Sequence, residues 1–85
     1  MAYAVRLRPS VRKELKRLPG AVYDRAIVKI LSLAENPRPH GSKKLVGEKD
    51  TYRLRVGDYR IVYKVNDAER TLRVTRIGHR QGVYD

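Results

Sequence analysis

Arg53, Arg55 and Arg60 fall in one strand-forming stretch, TYRLRVGDYRIVY (51–63). Gly57-Asp58 in its middle is the two-residue signature of a type II′ hairpin turn, with glycine at the position that needs positive φ. That turn sets Val56 opposite Tyr59, Arg55 opposite Arg60, Leu54 opposite Ile61, Arg53 opposite Val62 and Tyr52 opposite Tyr63. Side chains alternate across a strand, so Tyr52, Leu54, Val56, Tyr59, Ile61 and Tyr63 share a face suited to burial. Arg53, Arg55, Arg60, Val62 and Lys64 share the other, expected to be open. Like charges directly opposed on a sheet are destabilising, and solvation alone would be met by Thr, Gln or Glu. Three forked guanidiniums on one flat surface match the oxygens of a phosphate, so this face is expected to bind an anion.

The remaining chemistry-bearing residues narrow the field. There is no Cys, which excludes a disulfide, a thiolate metal site and a cysteine nucleophile. The two histidines, His40 and His79, are far apart in sequence, so no metal is expected and no cofactor is implied. His40 sits in a Pro/Gly loop and is expected to be solvated. Histidine is the side-chain type that titrates near neutrality, which makes His79 a candidate for acid/base work. It cannot share a strand face with Arg80, however, and Arg80 is the preferred partner of the array. Leu72 and Val74 are out of phase with Ile77, which predicts a bulge or strand end near Gly78.

Twenty Lys+Arg against nine Asp+Glu give a formal charge of +11 on 85 residues. A field of that strength collects polyanions and strains the free compact chain by self-repulsion. The expected partner is a nucleic acid or an acidic protein. The opening MAYAVRLRPS lacks the apolar core of a signal peptide and no stretch is long enough to span a membrane, so a cytoplasmic location is expected.

The elements that must hold these residues can be read from periodicity. Tyr3 to Arg8 alternates as a strand and stops at Pro9. Ser10 is the expected N-cap of a helix carrying Val11, Leu15 and Leu18, ended by Pro19-Gly20. A second helix is predicted over 21–35, with Val22, Ala26, Ile30 and Ala34 as its stripe and Ile27 and Leu31 beside it. The segment 37–42 is a loop, 43–46 a short strand, and 51–56, 59–65 and 71–77 are strands. The order β-α-α-β-β-β predicts a single α+β domain over residues 1–85, a small antiparallel sheet with a helical hairpin on one face.

The strand-helix-helix opening, KKLVG, YRLRVGDYRIVY and the closing IGHRQGVY together resemble the RelE branch of the RelE/ParE toxin superfamily. The resemblance covers nearly the whole chain. It implies a toxin of a type II toxin–antitoxin system that enters the ribosomal A site and cleaves mRNA without a metal. The implied attack is by the 2′-OH on its own phosphate, and the implied partner is an acidic antitoxin that wraps and neutralises it and represses the shared operon. Carried over by position, Arg53 and Arg55 match basic residues of the first hairpin strand, and Arg60 the phosphate-binding arginine. Arg80 matches the basic residue implicated in leaving-group protonation or transition-state stabilisation. Tyr84 matches the terminal tyrosine that stacks on or orients an mRNA base. Lys43 and Lys44 match a basic pair that touches RNA backbone, and Lys64 lies on the same open face.

Relatives often carry Lys where this chain has Arg53 and Arg55, and a guanidinium cannot serve as a base in a protein. Proton acceptance is left to Lys44, His79 or Tyr84, or to no strong base. Many relatives also continue into a C-terminal helix where this sequence ends at Asp85, so direct masking or remote steering by the antitoxin is expected in place of displacement of that helix. Two competing readings remain at this point: a gyrase poison of the ParE type, and a nucleic-acid-binding corepressor without catalysis.

Overall fold

The computed structural model describes residues 2–79; Arg80 and Tyr84 lie outside them. The chain forms β1 (Ala4–Leu7), α1 (Pro9–Lys16), α2 (Gly20–Ser32), β2 (Lys43–Lys44), β3 (Thr51–Val56), β4 (Tyr59–Asn66) and β5 (Thr71–His79). Five strands join in one sheet in the order β1-β5-β4-β3-β2. The β2–β3, β3–β4 and β4–β5 pairs are antiparallel, but β1 runs parallel to β5. The α+β class is as expected and the sheet is mixed, because the helical hairpin carries the chain away from β1 before β2 begins.

The helices start and stop a little differently from the sequence signals. Ser10 lies inside α1, whose N-cap is Arg8; Pro9 takes the first turn, where its missing N–H is no loss. Pro19 serves in turn as the N-cap of α2. That helix ends at Ser32, and residues 33–35 form turns, with the Asn36 N–H returning to the Ser32 carbonyl at 3.2 Å. Val11 and Leu15 of α1, Ala26 and Ile30 of α2, and Leu33 pack with Leu54, Val56, Ile61, Tyr63, Leu72, Val74 and Ile77. Each large aliphatic side chain in this layer contributes about 1.5–3 kcal/mol through burial. Leu31, expected beside the stripe of α2, is 65% exposed.

The hairpin register is as predicted, with Val56 opposite Tyr59 through Tyr52 opposite Tyr63. Gly57 takes φ +60 while Asp58 is not in the positive-φ region, the pattern of a type II′ turn. A Cβ at Gly57 would meet nothing closer than an Arg25 guanidinium nitrogen at 3.6 Å, so the backbone angle is what requires glycine there.

Candidate nucleic-acid interface

The sheet has one face under the helices and one turned away from them, and register places the cations on the second. Three rows of directly opposed residues cross it. Arg55, Arg60 and Gly78 form the row at the hairpin tip. Lys43, Arg53, Val62 and Arg76 form the next, and Thr51, Lys64, Arg73 and Arg6 the third. Opposed Cβ atoms on neighbouring strands lie about 4.5–5.5 Å apart, so each row is a short run of closely spaced side chains.

This face is not as open as the sequence pattern implies. Arg53 and Arg60 are only 7% and 4% exposed, and Val62 and Thr51 are buried with them, whereas Arg55 and Lys64 are exposed. Alternation tells which face a residue takes but not how much covers it. Arg53 and Arg60 stand on interior strands with a neighbour on each side. The two arginines are recessed beside an exposed third, and burial strengthens their field relative to a fully hydrated guanidinium.

The phase of β5 is corrected by a bulge, but at a different place from the one expected. The ladder pairs Val62 with Arg76 and Tyr63 with Val74, so Thr75 is the extra residue, and its Oγ1 donates to the Val62 carbonyl at 3.3 Å. Beyond it, Arg76 and Gly78 fall on the cation-bearing face and Ile77 and His79 on the helix side. His79 lies opposite Tyr59, edge to its ring at 5.4 Å between centroids. His79, a candidate for acid/base work, thus takes the face opposite the arginines. Arg80 and Tyr84 fall outside the described residues. The pair Lys43-Lys44 is split: Lys43 opposes Arg53, while Lys44 opposes Tyr52 and takes the other face.

Past the end of β1, the outer edge of β5 is closed by a helix side chain. Glu14 of α1 accepts the Ile77 N–H at 2.9 Å, and its second oxygen lies 3.8 Å from Arg76 Nε. A cleft of about 280 Å³ opens here between α1 and β5, lined by Glu14, Arg17, Tyr59, Arg76 and His79 among others. Among the described residues no group of three or more His, Cys, Asp or Glu is arranged to hold a metal ion.

At the far end of the sheet, a second network was not visible in the sequence. Arg38, in the loop before β2, forks onto Asp67 at 2.9 and 3.1 Å and donates from Nε to the Tyr52 hydroxyl at 2.8 Å. Tyr3 donates to the same carboxylate at 2.6 Å, and Tyr63 donates to the Pro37 carbonyl at 2.8 Å. Bonds from Arg38 and Tyr3 hold the Asp67 carboxyl below the usual range. Burial pushes the Tyr63 phenol up to about 12. This network ties the loop, and so the start of β2 with Lys43, to the turn between β4 and β5. The loop composition PRPHGS signals a turn but gives no partner for Arg38, because Asp67 is distant in sequence.

Arg73 and Arg76 also went unassigned from sequence alone. The alternation of Leu72 and Val74 would have put Arg73 on the face of Lys64; Arg76 required the bulge.

Comparison with known proteins gives a consistent set. A family model described as the ParE toxin of the type II toxin–antitoxin system parDE matches residues 5–84. Toxin RelG of Mycobacterium tuberculosis is 30% identical, over 99% of this chain and 98% of its own. The archaeal RelE of a RelE–RelB complex from Pyrococcus horikoshii superposes with a TM-score of 0.81 at 31% identity, covering 98% of this chain and 100% of the other. A chain of the intact Escherichia coli RelBE toxin–antitoxin complex gives 0.78 at 31% identity, over 92% and 96%.

Proposed function

Because the chain belongs to the RelE/ParE family of type II toxin–antitoxin toxins, we propose that it is a ribosome-dependent mRNA endonuclease restrained by an acidic antitoxin. The observation that carries this reading is the pair Arg55–Arg60, like charges in direct register beside recessed Arg53. A phosphodiester lying across them would accept hydrogen bonds from both guanidinium forks.

In the proposed reaction the mRNA 2′-oxygen forms a bond to the adjacent phosphorus while the bond from phosphorus to the 5′-oxygen breaks, leaving a 2′,3′-cyclic phosphate. Arg53, Arg55 and Arg60 stabilise the added negative charge on the phosphoryl oxygens; removing one such preorganised donor typically costs about 10²–10³ in rate. The proton leaving the 2′-OH needs an acceptor on the cation-bearing face. Lys44 and His79 take the opposite parity, so we assign acceptance to Tyr84, whose phenolate nearby cations would favour. Arg80 is assigned to the departing 5′-oxygen, and Lys43 and Lys64 to RNA backbone. The antitoxin partner rests on the RelE–RelB complexes of the relatives and on the +11 charge that an acidic chain would neutralise.

Purified protein added to in-vitro translation, with 5′ ends mapped, tests this directly. Cuts confined to the A-site codon of ribosome-bound message are expected, and cleavage of naked RNA at the same rate would contradict the ribosome requirement. Full cleavage by Tyr84→Phe would remove the hydroxyl from the mechanism. The name of the matching family model favours one competing reading, gyrase poisoning without nuclease action. An SOS response with intact message after induction would establish that alternative.

A further inference from the structure

One carboxylate stands where the fold leaves a strand edge without a strand. β1 accompanies β5 only from Ala4 opposite Thr71 to Leu7 opposite Val74, and the Arg8 N–H donates to the Val74 carbonyl at 3.0 Å as that ladder ends. Beyond it β5 continues to His79, still paired with β4 on its inner side. On the outer side the Ile77 N–H meets no strand among the described residues and is accepted by Glu14 of α1 at 2.9 Å. Glu14 is the only acid in α1, and its side chain is 25% exposed. Its neighbours Val11 and Leu15 are buried in the core that also holds Ile77, so the carboxylate is presented from a fixed frame. A helix face that needed only solvation would turn its acid to water; this one is committed to a backbone donor.

What lies across the strand gives that bond its consequence. Ile77 opposes Ile61, and the next residue, Gly78, opposes Arg60 in the row at the hairpin tip. Arg60 is 4% exposed on an interior strand, so its depth depends on this end of β5 lying against β4. The hold from the inner side is interrupted just before, because the Thr75 bulge breaks the β4–β5 register. The strand end is therefore gripped between a disrupted ladder and one helix side chain. The second Glu14 oxygen is 3.8 Å from Arg76 Nε, beyond hydrogen-bond range, which leaves the backbone N–H as the principal contact. We propose that Glu14 is a positioning residue for cleavage: by accepting the Ile77 N–H it holds the end of β5 against β4 and so fixes the depth and aim of Arg60. The inference rests on the nuclease reading, in which Arg60 stabilises the charge on the phosphate that is cut.

The test follows message cleavage with the protein in saturating excess over programmed ribosomes, for wild type, Glu14→Ala and Glu14→Gln. Glu14→Ala is expected to lower the saturated rate about tenfold or more, with the half-saturating concentration within about twofold of wild type. A loss of folded protein alone would do the reverse, raising that concentration and sparing the saturated rate. Glu14→Gln keeps an acceptor oxygen at the same reach and should restore the rate to within about threefold. On an Arg60→Lys background Glu14→Ala should cost less than about threefold more, whereas beside Lys43→Gln, on another strand, it should show its full effect. Amide hydrogen exchange reads the bond itself: Ile77 should exchange about tenfold or more faster in Glu14→Ala, while the amides of β3 change little. An unchanged saturated rate, a loss confined to half-saturation, no rescue by glutamine, unchanged exchange at Ile77, or a full effect on the Arg60→Lys background would each overturn the proposal. A wild-type protein that cuts no message would bring down the nuclease reading and this role with it; wild-type cleavage indifferent to Glu14 would bring down the role alone.

Discussion

Arg55 and Arg60 face each other on β3 and β4 when almost any other polar pair would cost less. If that repulsion is retained for a ligand, relieving it should stabilise the empty protein and harm its activity. Arg55→Gln is expected to raise the urea midpoint by the equivalent of a few tenths of a kcal/mol. Ribosomal cleavage should fall about tenfold or more, the direction expected where a site is strained for function. Unchanged cleavage in a stabilised variant would make Arg55 a solvated surface residue. At this scale the sequence was informative about partners: Gly57-Asp58 fixes every pairing in the hairpin, and the order of residues does the rest. It was uninformative about depth. Arg53 and Arg60 are buried although Arg55, on the same face, is exposed, and alternation carries no information on what covers a row.

Elements are held in place here by bonds that no local pattern announces. Arg38 and Asp67 join the loop before β2 to the β4–β5 turn, with Tyr3 on the same carboxylate. The folded Asp67 carboxyl is held below its ordinary value, so its contribution is present above that value and is lost as pH falls through the folded one. Asp67→Asn is therefore expected to lower the urea midpoint modestly at neutral pH, the pair being exposed. The difference from wild type should vanish once the solution is more acidic than the ordinary carboxylate range. A gap that persists unchanged into strong acid would mean that shape, and not ionisation, holds the loop. The bulge at Thr75 teaches the same lesson. The clash of phase between Val74 and Ile77 was visible, but its location depends on the Thr75 bond to Val62 on the next strand. Likewise, the parallel β1–β5 pair depends on where the helical hairpin returns the chain, which periodicity does not encode.

The whole molecule is a sheet with cations concentrated on one face and a helical hairpin, with its exposed apolar residues, on the other. With a formal charge of +11, the compact state is strained by its own field. Salt screens such charges over about 8–10 Å at physiological strength, so thermal stability should rise as sodium chloride is increased from low concentration. The same addition should weaken RNA binding, so the two responses run in opposite directions. Stability indifferent to salt would show that the charge is already neutralised within the fold. Class and element order were readable from the sequence because the apolar spacing of both helices and of β3, β4 and β5 agrees with the packing that forms. No sequence pattern gave the third cation row, because it joins Arg6 to Arg73 and Lys64 across most of the chain's length.

The proposed cleavage depends on forked donors at Arg60 gripping the phosphate that is cut, and Arg60→Lys isolates that contact by keeping the charge and removing the fork. Single-turnover cleavage of message on saturating programmed ribosomes is predicted to fall about a hundredfold, with ribosome affinity and the urea midpoint close to wild type. Cleavage at the wild-type rate by that variant would contradict it.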